Sequence, residues 1–327
     1  MKTFALAALA ATAMAADTLS YNYKFFKWAA EHNKVYETVE EFETRLAHFI
    51  KTDLKIEELN ARGTMMVSGH NHMSDWSQQE YIKLLGLREI EHQQREAIWP
   101  FKGTPSNADS LDWRDVAGAV TPVKDQGACG SCWAFSATEA VESAYAIAGN
   151  DQVIMAPQEL VDCTRSLFGN HGCNGGWYYY AYDWLKNNMT MREADYPYTS
   201  GTTGDETDCA YDSSKGVTTV SGYKQVSRDT DSIKAAIEIG PVNVAVAAGN
   251  DVFRNYSSGV VTEADGCPTR VDHAIVAVGY GTEDGVGYYI VRNSWNTTWG
   301  DQGYIKIAQS TGKGVCGINQ DVYYPII

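Results

Sequence analysis

The chain has 327 residues, 44% hydrophobic and 20% charged, with a net charge of −15 and a pI near 4.8. That length and composition suit a globular protein with a sizeable core. So large an excess of acid repels a phosphate backbone and excludes nucleic acid as a partner. Beyond the first residues, no apolar run reaches the roughly 18 needed to span a bilayer.

Lys2, the apolar run 4–11 and Ala13-Met14-Ala15 read as a secretory signal over residues 1–15. Tyr21, Phe25 and Trp28 recur at i, i+4, i+7. So do Phe42, Leu46 and Phe49, continued by Ile56 and Leu59, which predicts two amphipathic helices. Ser77-Gln78-Gln79-Glu80 is a capping-box pattern opening a third helix, with Gly86 as its stop. Residues 88–108 lose periodicity and gather Pro100, Gly103, Pro105 and Ser106, a linker open to nicking. Beyond it, residues 131–145, a segment opened by Pro157, and 231–239 read as helices. Residues 242–247, 273–278, 288–292 and 304–307 read as strands. Helices first and strands later predict two lobes with a cleft between them.

All seven cysteines lie after residue 107. In a secreted chain disulfides are permitted, and an odd count leaves at least one thiol over. Three bridges and one free cysteine is the simplest account. Cys132 stands at the first turn of a predicted helix, where unpaired amides and the helix dipole favour a thiolate. A nucleophilic thiolate needs a base, a group to orient that base, and donors for a developing oxyanion. Two histidines follow residue 107. His171, in a Gly/Asn loop, reads as a surface residue; His273 opens an apolar strand and is placed to face a cleft. Asn293 ends the next strand, and antiparallel pairing would set it beside His273. Trp295 can cover the His–Asn bond and exclude water. The Gln126 amide and the Cys132 backbone N–H would form the oxyanion hole. The C-x-x-C of Cys129 and Cys132 is also a redox and zinc spacing, but a dithiol oxidoreductase has no use for Gln126, His273 or Asn293.

Through residues 126–136, Gly172-Cys173-Asn174-Gly175-Gly176, Val271-Asp272-His273-Ala274, Asn293-Ser294-Trp295 and Tyr324-Pro325, the chain resembles a papain-family (cathepsin L-like) cysteine protease in its proenzyme form. Glu41, Arg45, Phe49, Ile56 and Asn60 fit that family's helical propeptide motif. Gly69, Asn71 and Asp75 fit a second one; Thr52 and Met73 depart from the pattern. The resemblance implies an α+β papain-like fold, a helical lobe and a β-barrel-like lobe flanking a cleft, preceded by a helical inhibitory propeptide. The implied divisions are a signal peptide at 1–15, the propeptide at 16–106 and the peptidase at 107–327.

The resemblance further implies Cys132 as nucleophile, His273 as general acid/base, Asn293 as its orienter and Gln126 as oxyanion donor. Peptide hydrolysis would then run through an acyl-enzyme, with no cofactor and no metal. It pairs Cys129 with Cys173, Cys163 with Cys209, and Cys267 with Cys316. Gly175 and Gly176, lacking side chains, would let substrate pair as an added strand. Asp272 and Trp295 would also line the cleft. Trp177, Tyr178, Ala245, Val271 and Ala274 would wall the main side-chain pocket over a floor at Asp321, an acid that would admit arginine beside bulky apolar groups. Implied partners are protein and peptide substrates, the chain's own propeptide and cystatin-like inhibitors, for a monomer in a lysosome, vacuole or extracellular space. Asn188, Asn255 and Asn296 head glycosylation sequons, the first two favoured because Asn296 lies close to the site. The alternative is a catalytically inactive, disulfide-stapled relative acting as a binding protein.

Overall fold

The computed structural model describes residues 20–87, 100–165 and 169–327; the expected signal segment and linker residues 88–99 lie outside them. Helix α1 (20–31) and helix α2 (Val39–Asn60) form the N-terminal unit. Thr38 caps α2 by accepting the Glu41 N–H, and Glu40 and Glu41 meet the positive end of the helix. Phe25, Trp28 and Phe49 are buried in one aromatic cluster, with Phe42, Leu46 and Tyr36 packed against it, as the helical period predicts. Helix α3 (Gln78–Ile82) carries the expected capping box on Ser77 and Glu80. It ends at Ile82, not at Gly86. The chain from 83 to 87 leaves the helix because its backbone groups find partners in the cleft.

A turn docks this unit on the rest of the molecule. Val67–Ser68 pairs antiparallel with Tyr256–Ser258. The Gly69 N–H donates to the Asn255 carbonyl at 2.9 Å, and Asn71 Nδ2 donates to the Arg254 carbonyl at 2.8 Å. Arg254 returns two bonds from Nη2, to the carbonyls of Met73 and Trp76 at 2.8 and 2.7 Å. Met73 is fully buried there.

The helical lobe is built on α4 (Cys132–Ile147), buried at every residue from 132 to 143. Around it lie α5 (Pro157–Cys163) and α6 (Tyr178–Leu185). The latter was not anticipated: Tyr178, Tyr179 and Tyr180 favour strands, and burial against α4 overrides that preference. The strand lobe is one sheet of β1 (Gly222–Gln225), β2 (Val242–Val246), β3 (His273–Glu283), β4 (Val286–Arg292), β5 (Tyr304–Ala308) and β6 (Val322–Ile326). Their order is β1-β6-β2-β3-β4-β5, with Val260–Val261 added at the β5 edge and Leu111–Asp112 on β3. The path is open, so the strand lobe is not a closed barrel. The sequence also hid β6, because proline is rare in paired strands. Pro325 lies beyond the reach of β2 and faces only Tyr223 of β1.

The lobes meet where α4 crosses the sheet. Ser136 Oγ donates to the Ile275 carbonyl at 3.0 Å, and Asn243 Nδ2 donates to the Ser136 carbonyl at 2.7 Å. Residues 100–106, expected as free linker, are strapped to the strand lobe. The Phe101 N–H donates to Gln225 at 2.7 Å and its carbonyl accepts from Ser227 at 2.9 Å. The Phe101 ring meets Tyr324 edge-on, and Ser106 donates N–H and Oγ to the Glu238 carboxylate. One aromatic anchor outweighs the local proline and glycine signals. No described helix is long and apolar enough to cross a membrane.

Candidate active site

Cys132 is the first residue of α4. Its neighbour Ser131, the N-cap, makes no side-chain cap bond, because its Oγ lies 2.7 Å from the Tyr198 hydroxyl. The Trp133 N–H of the first turn is therefore left for the sulfur. The Ala274 N–H reaches Cys132 Sγ at 3.5 Å, and the backbone N–H groups of Gly86 and Trp133 point to it as well. Cys132 is free and buried. The other six cysteines are bonded as Cys129–Cys173, Cys163–Cys209 and Cys267–Cys316.

His273 begins β3 opposite Val246 of β2. The antiparallel β3–β4 pair, with a bulge between Ile290 and Val291, returns the chain so that Asn293 stands beside it. His273 Nε2 and Asn293 Oδ1 are 2.8 Å apart, and both residues are fully buried. The same oxygen accepts the Ser294 N–H at 2.8 Å. An oxygen with two donors can only accept, so Nε2 carries the ring proton and Nδ1 keeps its lone pair. Nδ1 has no hydrogen-bond partner among the described residues. The Trp295 ring lies over the imidazole, centroids 4.5 Å apart at 31°. Arg292 anchors the end of β4 from below, pairing with Glu139 of α4 at 3.3 Å.

Gln126 is held at each of its polar groups. Its N–H donates to the Ser294 carbonyl at 2.9 Å and its carbonyl accepts from the Tyr198 hydroxyl at 2.8 Å. Oε1 accepts from Ser294 Oγ and Trp295 Nε1 at 2.8 and 3.1 Å. That fixes the amide so that Nε2 faces the cleft, where it donates to the carbonyls of Cys129 and Leu84 at 2.8 and 2.9 Å. The positions of Ser294 and Tyr198 on Gln126 escaped sequence reasoning. Ser294 stood inside a recognised motif but carried no pairing signal.

The cleft is filled by the chain's own segment 84–87. The Gly86 carbonyl accepts the Gly176 N–H at 2.8 Å, and the Leu87 N–H donates to the Asp272 carbonyl at 3.0 Å. Gly86 crosses directly over the thiol. A Cβ there would meet the Gly130 oxygen at 2.1 Å and Cys132 Sγ at 3.0 Å, so only glycine fits. The sequence could have flagged it as a glycine among leucines with no turn to serve.

Burial pushes the Cys132 thiol up to about 12, outweighing the N–H groups of Ala274, Gly86 and Trp133. Burial also draws His273 down to about 4 against its bond to Asn293. Segment 84–87 strips the water that two charges need, so burial favours the neutral form of each group while the cleft is covered.

Trp177, Tyr178, Ala245 and Ala274 lie in one apolar cluster with Leu87, and Val271 packs at its margin. The Asp321 carbonyl accepts from the Tyr178 hydroxyl at 2.7 Å and the Ala245 N–H at 3.2 Å, which sets its backbone beside two of these walls. Gly175 takes a positive φ of 103° where the turn Gly172–Asn174 ends. His171 is exposed. One glycosylation expectation is corrected. Asn255 is only 2% exposed and its Nδ2 donates to the Asp251 carbonyl at 3.0 Å, which leaves no room for a glycan. Asn188 is half-buried, with Nδ2 on the Trp184 carbonyl. Asn296, set aside on sequence, is exposed.

Residues 107–326 match the papain family cysteine protease and residues 25–81 match the cathepsin propeptide inhibitor domain (I29). The digestive cysteine proteinase 2 of Homarus americanus is 37% identical over 327 residues, covering 98% of each chain. Pro-cathepsin H of Bos taurus is 37% identical over 324 residues, covering 98% of this chain and 94% of its own. The structure of digestive procathepsin L 3 from Tenebrio molitor larval midgut superposes with a TM-score of 0.81 at 33% identity, covering 94% of this chain and 99% of that one.

Proposed function

Since the chain belongs to the papain family of cysteine proteases and carries a cathepsin propeptide inhibitor domain, we propose that it is a cysteine endopeptidase of the secretory or lysosomal pathway, made as a zymogen and opened by acid. The observation that carries this reading is a free thiol at a helix N-terminus that accepts the Ala274 N–H at 3.5 Å, the residue next after a histidine bonded to Asn293 at 2.8 Å, covered by segment 84–87 of the chain's own N-terminal unit.

In this reading Cys132, His273, Asn293 and Gln126 are the catalytic set. Removing segment 84–87 readmits water. The thiol proton passes to His273 Nδ1, Asn293 holds the ring by its Nε2–H, and the thiolate rests on the first-turn amides of α4. Sulfur attacks a substrate carbonyl whose oxygen turns toward Gln126 Nε2 and the Cys132 N–H. His273 gives its proton to the leaving amine, an acyl thioester remains, and water activated by the same ring releases it. Gly175, Gly176 and the Asp272 carbonyl pair with the substrate backbone. Trp177, Tyr178, Ala245, Val271, Ala274 and Asp321 receive the side chain two residues before the cut bond.

The same geometry explains why segment 84–87 survives there. The sulfur faces the Gly86 N–H, and the Gly86 carbonyl is turned away to Gly176. Activation requires the N-terminal unit to loosen, including its internal contacts from Lys34 and the Tyr36 hydroxyl to Asp75 at 3.1 and 3.0 Å, followed by a nick near residues 100–108 that frees a peptidase beginning near 107. A signal peptide at 1–15, a monomeric enzyme, cystatin-like inhibitors and glycosylation at Asn296 complete the proposal. The inactive binding-protein alternative has no support, because all four catalytic side chains stand at hydrogen-bonding or helix-cap positions. Acid incubation of the full chain followed by an epoxide-type cysteine protease inhibitor tests the reading. A shortened species labelled at Cys132 alone is expected. A processed protein that takes no label and cleaves no peptide would overturn it.

A further inference from the structure

Tyr198 lies outside the four catalytic residues, yet its hydroxyl joins the two segments that carry the oxyanion donors. The Gln126 carbonyl can only accept, so the Tyr198 O–H donates to it at 2.8 Å. Tyr198 has then no proton left, and the 2.7 Å contact with Ser131 is a bond from Ser131 Oγ–H to the tyrosine oxygen. The result is a directed chain, Ser131 O–H to Tyr198 O–H to the Gln126 carbonyl, in which each bond polarises the next. One end is the N-cap of α4, one residue before Cys132. The other is the backbone of Gln126.

The tyrosine is itself fixed from three sides. Its N–H donates to Glu193 Oε1 at 2.8 Å. Its ring stands edge-on to Phe135 of α4, centroids 4.8 Å apart at 85°. Three residues on, the Gly201 carbonyl accepts the Ala128 N–H at 2.8 Å. The chain packs so closely at that point that a Cβ on Gly127 would come within 2.4 Å of the same oxygen. Segment 198–201 is a brace under the loop that presents Gln126.

We propose that Tyr198 is a positioning residue for the oxyanion site: its hydroxyl sets the distance between Gln126 Nε2 and the Cys132 N–H by tying the Gln126 backbone to the cap of α4. The proposal rests on the assignment of those two groups as oxyanion donors. Without the hydroxyl, the Gln126 carbonyl and Ser131 Oγ lose their shared partner, while the Trp133 N–H stays on the sulfur and the Ala134 N–H on the Ser131 carbonyl. The defect therefore falls on the loop that presents Gln126 and not on the thiol.

The test compares wild type, Tyr198→Phe, Gln126→Ala and the double variant. Each is made as the full chain, processed in trans with pepsin, freed of pepsin activity with pepstatin, and titrated for reactive thiol with iodoacetamide. Tyr198→Phe is expected to lower kcat about fivefold to tenfold with KM within about twofold. Its rate of Cys132 alkylation across pH should match wild type, since alkylation builds no oxyanion. The double variant should be no slower than Gln126→Ala alone, because a residue that acts through Gln126 has nothing to act on once it is gone. A kcat for Tyr198→Phe within twofold of wild type overturns the proposal, and so does a loss that persists undiminished beside Gln126→Ala. If Gln126→Ala itself leaves kcat intact, the oxyanion assignment falls instead.

Discussion

Gly86 and Cys132 are in contact across two units of one chain: a Cβ on Gly86 would stand 3.0 Å from Cys132 Sγ and 2.1 Å from the Gly130 carbonyl oxygen. Neither backbone can yield cheaply, because the Gly86 carbonyl is bonded to Gly176 and the Gly130 N–H to Cys173. Inhibition thus depends on the absence of a side chain at one position.

Replacing Gly86 by alanine should make the zymogen leak. Overpacking a closed interface costs about 1–3 kcal/mol, which corresponds to roughly 5-fold to 150-fold more open form. Iodoacetamide labelling of Cys132 in the unprocessed chain at neutral pH should rise in that range. Labelling no faster than wild type would mean that the strand accommodates the methyl group and that its grip lies elsewhere.

Covering the cleft should also change how the thiol titrates. With burial raising Cys132 to about 12 and lowering His273 to about 4, the unprocessed chain holds a neutral pair. Its alkylation rate should keep rising with pH through neutrality and show no plateau in acid. After propeptide removal, a reactive plateau should appear in the acidic range as thiolate and imidazolium form together. Two superimposable pH profiles, before and after processing, would contradict this account.

Two histidines on the docking turn are expected to set the pH at which the proposed acid opening occurs. His72 is lowered to about 4 by burial first and by Lys34 and His32, against Asp125 and Asp75, and its Nδ1 lies 2.8 Å from Thr298 Oγ1. His70 is lowered chiefly by burial, against Asp53, 3.0 Å away. A histidine whose docked pKa lies below its free value binds its proton on release. The docked form is therefore at full strength above about 6.5 and weakens as pH falls toward 4. Glu80 acts later. Burial raises it, Arg45 and Ser77 outweigh burial, and with its value at about 2 its contribution fades as pH falls from 4.5 toward 2. His70→Gln and His72→Gln should each move the midpoint of acid processing down by about half a pH unit, read on gels across a pH series. A midpoint that stays put in both variants would assign the switch to the carboxylates.

Asp321→Ala should separate the two kinds of substrate. If the carboxylate serves the pocket beside Tyr178 and Ala245, the variant should lose roughly tenfold in kcat/KM on peptides with arginine two residues before the cut, with leucine peptides nearly unaffected. An unchanged arginine-to-leucine ratio would place the acid in solvent, where it has no part in specificity.

Much of the site was legible because its chemistry is written locally. Cys132 announced itself by position at a helix start, and His273 and Asn293 by lying at the same end of two successive strands that a short turn must make antiparallel. The aromatic period of α1 and α2 and the Ser77–Glu80 box were equally local. Other features were hidden for a common reason. The aromatic run at 178–180 looks extended until α4 buries it. Residues 100–106 look free until Phe101 finds Tyr324. Asn255 looks like a glycan site until Gly69 closes over it.

The sequence by itself marked the candidate reacting groups and their order, since helix capping, strand alternation and cysteine parity depend only on near neighbours along the chain. The tertiary structure alone decided the state of those groups. A strand from 42 residues upstream lays its Leu84 carbonyl on Gln126, its Gly86 on the thiol and its Leu87 N–H on Asp272. By excluding water it disfavours the charged form of both Cys132 and His273. Dielectric and packing are properties of what surrounds an atom in space, and no local pattern of residues records them.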